Sequence, residues 1–170
     1  MVRQLIKAGI FTALIVVGAW ISIPLGPVPF TLQVFFIFLS AYVLGKKYGT
    51  LSVATYVLLG AIGLPVFANF KGGAQVLVGP TGGYLFGFIL GAFVIGLLAE
   101  RKESFAWYLV SGIAGLGIIY AFGVFVLNFY VHDIRKAISV GFVPFIWFDL
   151  IKLVVAALIA LRLRKMGVKR

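Results

Sequence analysis

The chain has 170 residues, 63% hydrophobic and 11% charged, with four acidic side chains and a net charge of +11. A soluble domain carries roughly 25% charged residues, so the composition describes one integral membrane domain over residues 1–170 with no room for a second. Cysteine is absent, which excludes disulfides and thiol chemistry.

The basic residues fall at the ends of apolar runs and form no stripe, so they read as topogenic charge and not as a nucleic-acid surface. The N-terminal run MVRQLIKAGIFTALIVVG has the basic start and apolar stretch of a signal peptide. Five further apolar segments follow it, so an uncleaved first spanning helix is expected.

A bilayer core takes about 20 helical residues. Lys7 to Lys46 holds no charge, enough for two spans. Pro24, Pro27 and Pro29 must divide it, because three prolines so spaced cannot sit inside one helix. The first span is expected over Leu5–Ser22. The second is expected over Thr31–Leu44, stopping at Gly45-Lys46-Lys47, and the third over Thr50–Leu64. A Gly-rich connection follows from Pro65 to Gly82, carrying Asn69, Lys71 and Gly79-Pro80-Thr81-Gly82. Long ordered loops of this kind tend to be functional.

The fourth span, about Gly83–Leu98, sets Gly83, Gly87 and Gly91 on one face, where a neighbouring helix can approach closely. The fifth is about Phe105–Tyr130, and Val131 to Lys136 begins a loop in which His132 reads as a solvated interfacial residue. The sixth is about Pro144–Leu161, with a basic tail behind it. Six spans put eleven basic residues, Lys169 and Arg170 among them, on the side of the termini. Three, Lys71, Arg135 and Lys136, fall on the other side. That bias makes both termini cytoplasmic and turns the three long loops outward.

Asp149 and Lys152 lie within the sixth span, three residues apart and therefore on one helix face. Charges at membrane depth are costly and mark substrate sites or ion paths. Two readings stay open at this point: an internal ion pair that lets both charges sit in lipid, or a ligand site. The aromatic residues Phe145, Trp147 and Phe148 beside the pair read either as pocket walls or as an interfacial belt. Enzyme chemistry finds no support: there is one histidine, no HExxH, and no Gly-x-x-x-x-Gly-Lys-[Ser/Thr] loop for ATP.

Four stretches carry a resemblance across essentially the whole chain. They are Pro27-Val28-Pro29-Phe30-Thr31-Leu32-Gln33, Leu59-Gly60-Ala61-Ile62-Gly63-Leu64-Pro65-Val66-Phe67, Gly79-Pro80-Thr81-Gly82-Gly83-Tyr84-Leu85, and Pro144-Phe145 with Asp149-Leu150-Ile151-Lys152. With them the chain resembles the BioY family, the biotin-specific substrate-binding S components of energy-coupling factor (ECF) transporters. The resemblance implies an all-α membrane protein of S-component fold in a bacterial or archaeal cell membrane. Biotin would bind from outside, with no cofactor.

It implies Asp149 and Lys152 as the charged pair of the binding pocket, with Gln33, Thr81, Gly82 and Tyr84 among the substrate-binding positions. Lys71 stands where the family places a polar ligand contact. Some members carry an arginine just after the Tyr84 position; this chain has Leu85, which leaves Lys71 as the substitute. Gly9 and Ala13 match the small-residue motif by which S components dock on the transmembrane scaffold subunit; two ATPase subunits complete the importer. Two other readings stay open: a stand-alone proton-coupled carrier with Asp149 as the coupling carboxylate, and an S component for another vitamin.

Overall fold

A computed structural model describes residues 1–168 and is a helical bundle. Its helices are α1 (Val2–Trp20), α2 (Gln33–Ala61), α3 (Ala74–Leu77), α4 (Gly82–Ala99), α5 (Phe105–Val131), α6 (Ile134–Gly141) and α7 (Val143–Lys165). Five of them, α1, α2, α4, α5 and α7, are long and apolar enough to cross a membrane. Lys169 and Arg170, counted above with the basic residues, lie outside the described residues.

The expected second and third spans belong to one element, α2, and the expected connector over residues 45–49 is reduced to a single residue. Gly45 has φ 76° and ψ −173°, a conformation open essentially to glycine alone. The two arms of α2 then fold back on each other. Ser40 Oγ lies 2.5 Å from Ser52 Oγ, and a Cβ on Gly49 would stand 2.8 Å from Ala41 Cα. In a straight helix residues 40 and 52 would be about 18 Å apart. Lys46 and Lys47 therefore lie at a helix start, not in a loop. Glu100 covers that start: its Oε1 accepts from the Lys46 backbone N–H at 2.9 Å.

The prolines before α2 form a small antiparallel ribbon. Its strands are β1 (Ser22–Pro24) and β2 (Pro29–Thr31), paired Ser22 with Thr31 and Pro24 with Pro29. The stretch expected as a loop after residue 131 contains α6. Asp133 starts it, its Oδ1 accepting from the Arg135 and Lys136 backbone N–H groups at 2.8 and 3.3 Å, an ordinary N-cap. His132, exposed and left-handed at φ 53°, makes the corner between α5 and α6.

The small-residue face of α4 does what its spacing promises. A Cβ on Gly83 would fall 2.3 Å from the Phe122 carbonyl oxygen, and one on Gly87 would fall 2.9 Å from Ile119 Cα. The α4 and α5 backbones are thus in near contact. Gly96 does the same against the Gly45–Lys46 turn, where a Cβ would be 2.4 Å from the Lys46 nitrogen. On the buried side of α2 and α5, the rings of Tyr42 and Tyr108 stack at 4.7 Å, and Tyr42 donates to the Tyr108 carbonyl at 2.6 Å.

The bundle therefore has two unlike ends. One carries the Gly45 turn, the 100–104 connection, the start of α1 and the end of α7. The other gathers the β1–β2 ribbon, the 62–81 connection and α6.

Candidate functional site

A cavity of about 480 Å³ opens beneath the ribbon and the 62–81 connection, reaching α2, α4, α5 and α7. Its size falls in the usual range for small-molecule sites, roughly 300–1,000 Å³. Asp149 and Lys152 form part of its wall. Their side chains meet: Lys152 Nζ donates to Asp149 Oδ1 at 2.7 Å, and both residues are buried, 5% and 8% exposed.

Two further contacts complete the pair. Tyr120 of α5 donates its hydroxyl proton to Asp149 Oδ2 at 2.7 Å, and Lys152 Nζ donates to the Thr31 carbonyl at 2.6 Å. The ammonium also sits 4.2 Å from the Phe30 ring centroid, within range of a cation–π contact. Each carboxylate oxygen thus accepts one bond and has a further lone pair; the ammonium has one of its three protons uncommitted. Taking two charges out of water is expensive, and their mutual contact with these added hydrogen bonds offsets that cost.

The 62–81 connection is tied down over the cavity. Trp20, the last residue of α1, donates from Nε1 to the Pro65 carbonyl at 2.8 Å and stacks on Phe70 at 5.2 Å. Ser22 Oγ donates to Asn69 Oδ1 at 3.1 Å, which joins the ribbon to the connection. Asn69 and Phe70 are both left-handed, at φ 57°, and throw Lys71 round to an exposed position on the cavity wall.

The expected site residues sort clearly. Asp149, Lys152, Lys71, Gln33, Thr81 and Tyr84 line the cavity. Gly82 is not among its lining residues. It lies under Leu77, where a Cβ would be 1.8 Å from the Leu77 oxygen, so what it provides is a close turn at the start of α4. Tyr84 presents its ring, and its hydroxyl proton is already committed to the Gly141 carbonyl at 2.7 Å. Leu85 lines the cavity as an apolar residue.

Of the three aromatic residues beside the pair, Phe145 alone is buried and faces the cavity; Trp147 and Phe148 are 70% and 53% exposed. Gly9 and Ala13 are exposed on α1, and a Cβ on Gly9 would meet nothing within 4 Å, so internal packing does not account for them.

Sequence reasoning missed Tyr120, the Thr31 carbonyl and the Phe30 ring. Tyr120 stands in a long apolar helix with no charge near it, and a backbone carbonyl has no sequence signal at all.

The BioY family model matches residues 1–169. The chain belongs to the BioY family. Within it, Biotin transporter BioY of Thermotoga maritima is 93% identical over 168 residues, covering 99% of each chain. Probable biotin transporter BioY of Pyrococcus horikoshii is 44% identical over 162 residues, covering 95% of this chain and 96% of the relative. The BioY bundle is also similar to the solved S-component for biotin from an ECF-type ABC transporter. The TM-score is 0.90 at 31% identity, over 98% of this chain and 93% of that one.

The pairing predicts an asymmetric response to mutation. Lys152→Met leaves a buried carboxylate without its cation and is expected to cost about 3–5 kcal/mol of stability. Adding Asp149→Asn in the same chain should recover most of that loss. Unfolding of the purified single and double variants in detergent measures both.

Proposed function

We propose that this chain is the high-affinity biotin-binding subunit of an ECF-type importer, capturing biotin from outside and passing it to a scaffold and ATPase module. The observation that carries the reading is the pairing of Asp149, Lys152 and Tyr120 in the wall of a loop-covered cavity, in a chain of this family.

Biotin has two hydrogen-bonding ends joined by an apolar body. The fused ureido ring meets Asp149 and Lys152: an ionised carboxylate can only accept, so it takes a ureido N–H. The uncommitted Lys152 proton faces the ureido oxygen. The apolar body lies against Phe145 and Tyr84, and the valerate carboxylate points to Lys71 on the exposed part of the wall. Thr81 and Gln33 add polar lining, while Gly82 shapes the turn beneath it. The ribbon and the 62–81 connection act as covers over the bound ligand.

The basic residues at the Gly45 end favour that end, and both termini, in the cytoplasm. Each arm of α2 then crosses the membrane, making six crossings with the cavity open outward. The chain holds no phosphate-binding loop for ATP, so energy comes from two partner ATPase subunits acting through the transmembrane scaffold. Gly9 and Ala13, exposed on α1, are the docking point for that scaffold. Its location on this reading is a bacterial or archaeal cell membrane, in keeping with the organisms of the relatives. A stand-alone proton-coupled carrier is not favoured, since Asp149 is already held on both oxygens by Lys152 and Tyr120.

Titration of the detergent-purified protein with biotin tests the assignment. Wild-type protein is expected to bind, and Asp149→Asn to weaken binding by about 100-fold or more, because a buried group is left without its charged partner. Near-wild-type affinity in that variant would remove Asp149 from the site. For docking, Gly9→Leu with Ala13→Leu should abolish cellular uptake of labelled biotin while binding to the purified protein persists. Loss of binding as well would assign both residues to folding.

A further inference from the structure

The end of the bundle opposite the cavity holds a second buried cation. Arg164, in the last turn of α7, has a side chain only 10% exposed. Its Nη2 donates to the carbonyls of Tyr42 and Val43 at 3.1 and 2.9 Å, and its Nη1 donates to the Val168 carbonyl at 3.1 Å. Glu103 Oε1 stands 3.6 Å from its Nε. None of these residues lines the cavity.

The Tyr42 and Val43 carbonyls call for such a donor. A helix leaves its last four carbonyls without partners inside the helix, and the first arm of α2 is cut off at Gly45. A guanidinium suits the place. Its fork reaches two carbonyls at once, and its charge complements the negative end of that arm.

The contact repeats a pattern already present at the cavity. Lys152 donates to the Thr31 carbonyl and Arg164 to the Val43 carbonyl, and both bonds span the same 121 positions of the chain. α7 and the first arm of α2 therefore run side by side in the same direction, tied by a cation at each end. The two ties lie about 18 Å apart along the helix. Between them the buried face of α7 is Leu153 followed by Ala156, Ala157 and Ala160. Alanines let helices approach closely, but they interlock little and resist sliding poorly. A membrane adds no hydrophobic force between apolar helices that would hold their register. Directional bonds at the two ends are left to do so, and only the one at Lys152 lies where a ligand can disturb it.

We propose that Arg164 is a positioning residue for Asp149 and Lys152. It fixes the height of α7 against the first arm of α2 from the end remote from the ligand, and so holds the charged pair at the depth the cavity requires. The functional half of this rests on the reading of the cavity as the biotin site.

The test compares full-length wild-type protein with Arg164→Met, Arg164→Lys and Ser104→Ala. Ser104 caps α5 at the same end of the bundle through the Trp107 N–H, so its loss weakens the fold there without removing a bond to α7. The chain has no cysteine. Spin labels at Lys47→Cys and Trp147→Cys, both exposed and outside the cavity lining, therefore report the spacing of the two ends in ligand-free protein by double electron–electron resonance. Calorimetric titration of the unlabelled proteins gives biotin affinity.

Arg164→Met is expected to broaden or shift the distance distribution and to lose about tenfold or more in biotin affinity. Arg164→Lys keeps a cation at the carbonyls and should recover most of both. Ser104→Ala should unfold at a lower temperature yet keep the wild-type distance and affinity. If Arg164→Met does not fold, Arg164→Gln takes its place with the same expected results.

An unchanged distance distribution or unchanged affinity in that variant overturns the proposal. So does an equal loss of affinity in Ser104→Ala, which marks general loosening of that end, or a lysine variant no better than the neutral one. Failure of the wild-type protein to bind biotin would instead overturn the assignment of the cavity, and the distances alone would then decide whether Arg164 sets the register.

Discussion

A carboxylate and an ammonium cannot be withdrawn from water cheaply, and the bundle is arranged so that this pair is never left half satisfied. Asp149 and Lys152 sit one turn apart on α7, but their remaining partners come from two other elements. Tyr120 arrives from α5 and the Thr31 carbonyl from β2. The pair therefore joins three parts of the chain that share no local sequence. Its placement depends in turn on how closely the helices approach. Gly83, Gly87 and Gly91 let α4 lie against α5, and Gly123 leaves space for the Tyr84 ring beside Tyr120. Larger residues at these positions would move α5, and Tyr120 with it.

The loops over the cavity are built on similar terms. A long connection rich in glycine would cost much entropy to order unless something held it. Trp20 supplies one hold, using its indole N–H on Pro65 and its ring face on Phe70. The Ser22–Asn69 contact supplies another. Lys152 adds a third from below through Thr31, since that residue ends the ribbon. The cover and the floor of the cavity are thus in direct contact, and a ligand touching Lys152 touches a group that also holds the ribbon.

Much of this was legible in the sequence because the relevant signals were strong. The charged pair stood out against an apolar segment, the prolines ended α1, and the spacing of Gly83, Gly87 and Gly91 announced a close helix contact. The limits were physical. Gly45 followed by two lysines looked like an ordinary loop, because composition cannot tell a connector of five residues from a reversal made by one. Residues 134–141 looked like loop because their charges are concentrated at Arg135 and Lys136, while the cap that starts α6 is a single aspartate. Trp147 and Phe148 were close to Asp149 in sequence but are exposed and do not line the cavity, whereas Tyr120 was distant and in contact. Six spans were expected; among the described residues five helices meet the length and apolarity of a span, because two of the expected spans fall in one folded element.

The reversal at Gly45 has a consequence for how the protein tolerates change in length. Gln33 and Tyr56 reach the same cavity only because the two arms of α2 are in register across that turn. One residue added within either arm would rotate everything beyond it by about 100° about the helix axis. A residue that faced the cavity would then face lipid or a neighbouring helix. The 100–104 connection carries no such phase, since it joins two helices at the far end of the bundle. Insertions should therefore be absorbed at that end and rejected in the arms, so the cavity is read out by helical phase as much as by residue identity.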